Sequence, residues 1–402
     1  MLKNRMFLAI ASGHFAVDVL NSTGAVLLAV LKEPLGLSYA QIGTAITAYL
    51  LIGSLSQPLF GWLSDRFPGR SMFLAALGVA WMAVFFTLVA LAPTWTLLFP
   101  VFMLAPLGSA LFHPVGTAAV AAAVPDRAAS ATSIFFFSGQ VGLALGPFLA
   151  GVLAGLFGAP GLLPLVALAI VPTIMLLLAS REERDMHSRP RKAAAPRPAQ
   201  VWTLIGAAVI ASFIVLVALR SSVQAVYQAY LPQLFQGRGW EPALFGLLAG
   251  VFMAAGAVGQ VINGAMADRY GMRVAVVGPM LLSIPAGLLC LLTPSMTFAF
   301  IACALAGFLV GGQHSVLVVH AQRLLPVKQG FAAGLILGFT FASGALGTWL
   351  AGQMADDVGM QSVMVWVTLL SLPAALLGLT LPGAKKRSVA PTVAPAPTPA
   401  AD

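Results

Sequence analysis

The stretch GWLSDRFPGR at residues 61–70 returns as GAMADRYGMR at residues 264–273. The two copies share the first glycine, an Asp-Arg pair and the last arginine in one register, and each follows an apolar segment. Identities between small residues arise by chance in apolar helices, but a gapless match through a charged loop is much harder to obtain that way. The sequence therefore predicts that the chain repeats one structural unit.

The repeat continues on both sides of these loops. A displacement of 203 residues brings Gly43 onto Gly246, and farther along a displacement of 201 residues brings His113 onto His314. Each copy contains six apolar segments, an even number, so both copies cross a membrane in the same orientation. Parallel repeats of this kind place a binding site between the two halves, near the bilayer midplane.

The composition indicates a membrane protein, since 59% of the 402 residues are hydrophobic and only 8% are charged, against about 25% charged residues in soluble domains. A helix needs about 20 apolar residues to span a bilayer. Twelve such segments are predicted, at 6–31, 39–62, 71–92, 96–122, 130–157, 161–180, 201–230, 242–265, 274–293, 297–321, 330–355 and 360–381. We expect an all-α integral membrane protein with twelve transmembrane helices in two pseudo-symmetric six-helix bundles.

The basic residues predict the orientation. The net charge of +9 could indicate nucleic-acid binding, but 18 of the 21 lysines and arginines lie in the termini and in alternate loops, all on one side. Lys32 and Arg238 lie on the other side, and Arg220 is inside a helix. The positive-inside rule then places both termini in the cytoplasm. The predicted units are bundles at 1–180 and 201–381, a basic cytoplasmic linker at 181–200 and a disordered cytoplasmic tail at 382–402.

Two ionisable residues stand out within the apolar segments. Asp18 is the only carboxylate well inside a predicted span, and Arg220 is the only strong base there. The displacement of 203 puts Ser221 opposite Asp18, so Arg220 lies at nearly the depth of Asp18 in the other half. A charge at this depth costs at least about 2.5–3.5 kcal/mol, which makes a functional or paired role the default interpretation.

Polar residues flank both of these positions at helical spacing. His14 and Asn21 share a helix face with Asp18, and Gln224 and Tyr227 share one with Arg220. We hypothesise that Asp18 binds a coupling proton beside Arg220, with His14 as a relay. The alternatives are a static Asp18–Arg220 pair that only fixes the two halves, and a His14 that hydrogen-bonds a neighbouring helix.

The repeated loops resemble the signature loop of the major facilitator superfamily, a likeness that covers essentially the whole chain. In the first copy Pro68 stands where glycine is usual, and Gly69 follows one place late. The resemblance implies a latch that holds one conformation; the alternative is that these charges only set the topology. The latch residues would be Gly61, Asp65, Arg66, Arg70, Gly264, Asp268, Arg269 and Arg273.

The fifth segment carries Gly142, Gly146, Pro147 and Gly151 in a spacing that resembles the antiporter signature of the superfamily's proton-driven exporters. That resemblance favours export over uptake. Close helix packing through small residues explains the same pattern without any function.

Four short stretches resemble the fosmidomycin-resistance branch of bacterial exporters, namely GHFAVD at 13–18, LFHP at 111–114, RS at 220–221 and AQRLLP at 321–326. In this superfamily the first, fourth, seventh and tenth helices line the central cavity. The resemblance therefore implies a substrate cavity with Asn21, His113, Gln224, Tyr227, Gln313 and His314. For the two histidines, a purely structural role is an equal alternative.

We therefore expect a secondary transporter that couples protons to efflux of small organic molecules or drugs. The alternatives are a proton-coupled uptake symporter and, more distantly, a membrane-embedded enzyme, which the lack of any reactive motif disfavours. We expect no catalytic residues, cofactor or metal. The expected partners are a small-molecule substrate, protons and lipid, without nucleic acid, for a monomer in the inner (plasma) membrane of a bacterium.

Overall fold

The computed structural model describes residues 4–67, 69–124, 128–187, 207–324 and 329–381. Within these ranges the regular structure is entirely helical. The helices are α1 (Arg5–Lys32), α2 (Tyr39–Arg66), α3 (Ser71–Leu91), α4 (Trp95–Leu104), α5 (Pro106–Ala123), α6 (Ala128–Phe157), α7 (Leu163–Ala167), α8 (Ile170–His187), α9 (Ala207–Gln236), α10 (Pro242–Tyr270), α11 (Met272–Leu292), α12 (Met296–Gly311), α13 (His314–Leu324), α14 (Gln329–Val358), α15 (Met360–Leu369) and α16 (Ser371–Gly378), with a 3₁₀ turn at Ala159–Leu162.

In the described part of the chain, eleven segments are long and apolar enough to cross a membrane. Four of them join consecutive shorter helices, namely α4 with α5, α7 with α8, α12 with α13, and α15 with α16. Helix α14, 30 residues long and packed along α2, supplies the twelfth. The predicted fold of twelve helices in two six-helix halves is confirmed. Helix α8 continues to His187, into the segment predicted as linker, and residues 188–206 and 382–402 lie outside the described ranges.

We call the side where α1 begins and α2 ends the terminal face, and the opposite side the distal face. At the terminal face of the N-terminal half, Asn4 donates from its side chain to the carbonyl of Ala123. The buried Glu183 carboxylate at the end of α8 accepts from the backbone N–H groups of Ser71 and Met72. A carboxylate at a helix N-terminus satisfies free N–H groups and opposes the helix dipole. These contacts tie the first span to the fourth and the third span to the sixth.

The hydrogen bonds between the two halves, among the described residues, all lie toward the distal face. The Asp356 carboxylate on α14 accepts from the backbone N–H groups of Tyr39 and Ala40 at 2.8 and 2.9 Å, at the start of α2. Farther in, the Thr47 hydroxyl donates to the carbonyl of Ala345. The other bonds are Tyr230 to the Tyr39 carbonyl and Gln233 to the Ala25 carbonyl.

Glycines make the closest approaches between the halves. Gly43 on α2 lies against Gly352 on α14, and Gly246 on α10 lies against Gly151 on α6. In each pair a methyl group on one glycine would come within about van der Waals contact of the other backbone. Small residues let transmembrane helices approach closely. The two crossings are also equivalent in the repeat, because Gly43 matches Gly246 and Gly151 matches Gly352.

The same helices lose this contact toward the terminal face. A methyl group built at Gly264 of α10 or at Gly338 of α14 would meet no described atom within 4 Å. At Gly61 of α2 it would meet only Pro114, which belongs to the same half. In the described part of the chain, the halves are therefore in contact near the distal face and show no contact at these three positions toward the terminal face, which indicates a cleft between them on that side.

Candidate functional site

The N-terminal half contains a buried cluster centred on Asp18, midway along α1. His14, one turn earlier on the same helix, places Nε2 3.2 Å from Oδ2 of Asp18. His113 on α5 places Nε2 3.3 Å from Oδ1 of the same carboxylate. Asp18 and His14 are almost completely buried, whereas the His113 side chain is 26% exposed. The carboxylate is therefore held between two imidazoles, and His113 is the member closest to solvent.

Backbone carbonyls orient both imidazoles. Nδ1 of His14 lies 2.6 Å from the carbonyl oxygen of Phe135 on α6, and the two rings stack at 3.9 Å. Nδ1 of His113 lies 2.9 Å from the carbonyl oxygen of Ser109, one turn earlier on α5, and 3.1 Å from the hydroxyl oxygen of the same residue. A side chain at position 139 would collide with the cluster, so Gly139 of α6 is what makes room for it. Three helices thus define the geometry around Asp18.

Asn21 connects this cluster to a second polar layer. Its amide nitrogen donates to Oδ1 of Asp18 at 3.1 Å and to the Ser109 hydroxyl at 2.8 Å. Its amide oxygen accepts from the Tyr49 hydroxyl of α2 at 2.7 Å. The sequence predicts that His14, Asp18 and Asn21 share one helix face. In the structure, His14 and Asn21 both contact the carboxylate of Asp18. Sequence reasoning missed Ser109 and Tyr49, which have no charge and no distinctive spacing.

The C-terminal half contains a different cluster, centred on the buried Arg220 of α9. Its Nη2 donates to the carbonyls of Val310 and Gly311 at 2.9 and 3.2 Å. These residues form the last turn of α12, whose carbonyls have no partner within the helix and carry the negative end of its dipole. Nη1 lies 3.4 Å from Nδ1 of His314, the first residue of α13. Arg220 thus caps the break between α12 and α13.

The guanidinium retains unused donor capacity. Nε of Arg220 is buried with no hydrogen-bond partner among the described residues, and so is Oε1 of the neighbouring Gln313. Buried polar groups usually find partners, so those that lack one call for an explanation such as a bound ligand. The predicted alternative of a static Asp18–Arg220 pair does not correspond to these contacts, because each residue pairs within its own half.

Of the other predicted cavity residues, Gln224 on α9 is half-buried, whereas Tyr227 and Gln313 are buried. Tyr227 is 1% exposed, exchanges a hydrogen bond with the Thr368 hydroxyl at 2.7 Å and stacks on Phe252. It therefore packs inside the C-terminal half, apart from the Arg220 cluster. Gln313 is also buried, and its amide nitrogen donates to the Leu309 carbonyl.

The antiporter-like stretch of α6 contacts two other helices, α1 of the same half and α10 of the other half. Gly142 and Gly146 pack against the backbone of α1 at Phe15 and Val19, next to Asp18. Pro147 and Gly151 instead face α10 of the other half. One helix thus contacts both the Asp18 cluster and the crossing between the halves, which is compatible with a packing role and with a coupling role.

The contacts that the described residues show for the predicted latch arginines are local ones. The guanidinium groups of Arg66, Arg70 and Arg269 lie over the rings of Trp62, Phe67 and Tyr270, and Arg273 donates to the carbonyl of Leu381. Asp268 is exposed, and no ion pair of it occurs among the described residues; the Asp65 side chain and Pro68 lie outside them. Gly69 and Gly271 both have positive φ, 78° and 87°. Each loop therefore turns at a glycine, but Gly69 lies one place after the position that Gly271 matches in the repeat.

A metal ion is one species that the Asp18 cluster could hold. The ligand atoms of His14, Asp18 and His113 all lie within 4.8 Å of one another. Two imidazole nitrogens and a carboxylate oxygen suit a divalent transition metal, and the carbonyls behind the rings would orient them. The same atoms are equally suited to sharing protons.

Comparisons with known proteins agree with this architecture. A sequence profile of the Major Facilitator Superfamily matches residues 10–241 and again residues 213–401. The fosmidomycin resistance protein of Escherichia coli (strain K12) is 29% identical over 362 residues, which cover 88% of this chain and 87% of that protein. YfnC of Bacillus subtilis (strain 168), an uncharacterised MFS-type transporter, is 26% identical over 384 residues, covering 93% and 91%.

Solved structures show the same fold. A bacterial homologue of the human lysosomal transporter Spinster, in an inward-facing and unoccupied conformation, superposes with a TM-score of 0.71 at 16% identity, covering 94% of this chain and 98% of that one. The nucleoside transporter NupG superposes with a TM-score of 0.71 at 15% identity, covering 93% and 98%. At these identities the likeness establishes the fold alone. The two profile matches, which together span most of the sequence, show that the chain belongs to the Major Facilitator Superfamily of membrane transporters.

Proposed function

We propose that this chain is a proton-coupled antiporter that exports small organic molecules from a bacterial cell by alternating access. The observation that carries the proposal is the buried carboxylate of Asp18, held between His14 and His113 and next to the cleft. A charged carboxylate in the middle of a transmembrane helix is costly, and residues of this kind often belong to proton relays. Asp18 and its histidines can therefore load and release protons as the cleft changes sides.

The direction of transport is proposed from two features. Basic residues gather on the terminal face, so the positive-inside rule assigns this face to the cytoplasm. The cleft would then open to the cytoplasm in the present conformation and receive cargo from inside the cell. The antiporter-like glycines pack directly beside Asp18, and the Escherichia coli relative is named for drug resistance. All of this supports efflux over uptake.

The Arg220 cluster is proposed as the cargo side of the cleft. Its guanidinium has a free Nε–H, and His314 beside it can accept or donate a hydrogen bond. A guanidinium binds carboxylate and phosphate-like groups in forked geometry. We therefore propose a cargo with an anionic group, which would compete with the carbonyls of α12 for Arg220.

The latch loops would act in the opposite conformation. With the terminal face open, their arginines contact only local rings and carbonyls. When this face closes, the ends of α2 and α10 approach the other half, and Asp65 and Asp268 would then find partners across the cleft. The chain would act as a monomer, without a cofactor, as a multi-pass protein of the bacterial inner membrane.

Transport in proteoliposomes under an imposed pH gradient tests this function. Fosmidomycin, a phosphonate, is the first probe because of the name of the Escherichia coli relative. We expect uptake of the probe into liposomes that are acidic inside, accompanied by alkalinisation of the lumen as protons leave. The variant Asp18→Asn should lose the response to the gradient, whereas Asp357→Asn, at an exposed site near the distal face, should keep it.

The same assay distinguishes the alternatives. Protons that move in the same direction as the probe would indicate a symporter. A gradient-driven flux that survives Asp18→Asn unchanged would exclude Asp18 from coupling. If a wider set of organic anions and cations also gives no flux that depends on the pH gradient, the proposal of proton-coupled export fails.

A further inference from the structure

Three side chains from two helices converge on one point of the N-terminal half. Nε2 of His14 lies 3.2 Å from Oδ2 of Asp18, and Nε2 of His113 lies 3.3 Å from Oδ1. Atoms that bind one tetrahedral ion at about 2.0 Å are about 3.3 Å apart, so these separations are compatible with shared coordination. We propose that His14, Asp18 and His113 form a binding site for Zn²⁺ or a similar divalent transition-metal ion.

Helix α6 leaves room for an ion beside these atoms. A methyl group built at Gly139 would lie 2.5 Å from Oδ2 of Asp18 and 2.5 Å from Nε2 of His14. That is too close for a carbon atom, but Zn²⁺ binds oxygen and nitrogen ligands at about 2.0–2.2 Å. The lack of a side chain at Gly139 therefore keeps clear a position that borders two of the three ligand atoms.

Outer hydrogen bonds orient both imidazoles. Nδ1 of His14 faces the carbonyl oxygen of Phe135, which can only accept, so Nδ1 donates and Nε2 keeps its lone pair toward the carboxylate. Nδ1 of His113 lies near both the carbonyl and the hydroxyl of Ser109, and a metal ion at Nε2 would select the form in which Nδ1 donates. Metal-binding histidines commonly donate their other N–H to a carbonyl in this way.

The charge of the site and its access suit the same ion. The carboxylate of Asp18 is buried, and buried charges in proteins are paired or coordinate metals. Two imidazole nitrogens favour a transition-metal ion over Mg²⁺ or Ca²⁺, which prefer oxygen ligands. The side chain of His113 is 26% exposed, so an ion can enter there and keep a water molecule as its fourth ligand.

The sequence-based expectation of no metal missed this site because its third ligand, His113, comes from a helix distant in the chain. Metal binding itself does not depend on the proposed function, but its consequence for transport does. An ion on these atoms would exclude the coupling protons from them. Zn²⁺ would therefore inhibit the transporter by occupying the Asp18 cluster.

Co²⁺ absorption spectroscopy of the full-length protein in lipid nanodiscs, prepared without a polyhistidine tag, tests the site. We expect one Co²⁺ per chain, with the visible absorption of a four-coordinate ion, and displacement by Zn²⁺. His14→Asn, Asp18→Asn and His113→Asn should each weaken binding by more than about 10- to 100-fold, the usual loss for an outer-shell partner alone. His320→Asn, at a buried histidine of the other half, is the matched control and should bind as the wild type does. A wild type that binds no Co²⁺, or a His113→Asn variant that binds it unchanged, would overturn the proposal.

X-ray absorption spectroscopy of the wild type loaded with Zn²⁺ keeps the test independent of whether the variants fold. We expect nitrogen and oxygen ligands at about 2.0 Å, with the scattering pattern of two imidazole rings. A bound ion with one imidazole or none would refute the site.

The transport assay separates this proposal from the proposed function. Zn²⁺ added to both sides of the proteoliposomes should abolish the flux driven by the pH gradient, and EDTA should restore it. Binding in a protein without any such flux would support the site and refute the proposed function. Proton-coupled flux in a protein that binds no metal would refute the site alone, and flux that persists with the ion bound would refute the inhibition.

Discussion

The two halves of the molecule share one fold but carry different polar clusters, one centred on a carboxylate and the other on a guanidinium. His113 and His314 match in the repeat, and they are the only histidines in it that do. The residues around them differ: His14, Asp18, Asn21, Tyr49 and Ser109 in the first half correspond to Val217, Ser221, Gln224, Phe252 and Val310 in the second. The first half therefore surrounds a carboxylate with hydrogen-bonding groups, whereas the second has Arg220 on the carbonyls of a helix end.

This difference teaches how one repeat can divide two tasks. A carboxylate between imidazoles changes its charge by taking up protons, and a guanidinium keeps its charge at any physiological pH. The first half is thus suited to the coupling ion and the second to an anionic cargo. In the proposed mechanism both clusters line one cleft, so that the loading of one changes the electrostatic field at the other.

The crossings between the halves show a second asymmetry. Tyr39 at the start of α2 matches Pro242 at the start of α10, and Gly155 of α6 matches Asp356 of α14. At the crossing of α2 and α14, the carboxylate of Asp356 accepts from two backbone N–H groups. At the crossing of α6 and α10, Pro242 packs on Gly155. Proline has no N–H to donate, so the second crossing has no counterpart of this backbone–carboxylate contact, and its described contacts are packing contacts.

The largest effect is expected for Arg220→Gln, which removes the charge that distinguishes the second cluster. Truncating one partner of a buried charged contact costs about 2–5 kcal/mol, which corresponds to roughly 30-fold or more in affinity for an anionic probe. Arg220→Lys should be intermediate, because lysine keeps the charge and loses the forked geometry. The measurement is the apparent KM for fosmidomycin in proteoliposomes.

The matched control is Ser221→Ala, which alters the neighbouring residue, the repeat equivalent of Asp18, without a charge. We expect it to leave the KM unchanged. If Arg220→Gln transports the anionic probe with a normal KM, Arg220 only caps α12, and the proposed division of tasks between the halves is wrong.

The next effect tests whether the two crossings are equivalent. A methyl group at Gly246 would collide with the backbone carbonyl of Pro147, which cannot rotate away, whereas one at Gly43 would collide mainly with the Tyr230 hydroxyl. Overpacking costs about 1–3 kcal/mol. We expect Gly246→Ala to hold the distal face open more strongly than Gly43→Ala, measured by cysteine accessibility near the distal face. Gly338→Ala, in open space, is the control, and equal accessibility in all three would contradict the assignment of these contacts.

Much of this architecture could be predicted from the sequence, and the reason is physical. Apolar length and alternating charge give twelve spans, and the helical spacing of His14, Asp18 and Asn21 gives a shared face. The hydrogen bond of His14 to a neighbouring helix was one of the stated alternatives, but the particular backbone carbonyls that Arg220 and the two imidazoles contact could not be predicted, because every residue carries a carbonyl. The break between α12 and α13, at Gly312 and Gln313, could not be predicted either, since it falls inside a continuous apolar segment.

A smaller effect is expected for Asp356→Asn, which weakens the polar crossing. The carboxylate accepts from two N–H groups at the start of α2, and losing a charged cap costs about 1 kcal/mol. Since 1.4 kcal/mol changes an equilibrium constant tenfold, a loss of about 1 kcal/mol changes it about fivefold. The ratio of molecules with a closed distal face to those with an open one should fall by that factor. Asp357→Asn is the matched control, since Asp357 is exposed and makes no hydrogen bond among those described. The same accessibility assay applies, and identical results for both variants would remove Asp356 from the crossing.

The smallest effect is expected for Tyr49→Phe, which gives the first half the residue that Phe252 supplies in the second. The hydroxyl of Tyr49 donates to Asn21, whose amide nitrogen donates to Asp18, so its loss acts on the carboxylate only through one intermediate. A single neutral hydrogen bond contributes about 0.5–1.5 kcal/mol. Gradient-driven flux should fall less than tenfold and keep its dependence on pH. Tyr39→Phe, which leaves the backbone bonds to Asp356 intact, should have no effect on coupling. A Tyr49→Phe variant as inactive as Asp18→Asn would mean that the proton path runs through Tyr49, so that proton coupling would involve more than Asp18, His14 and His113.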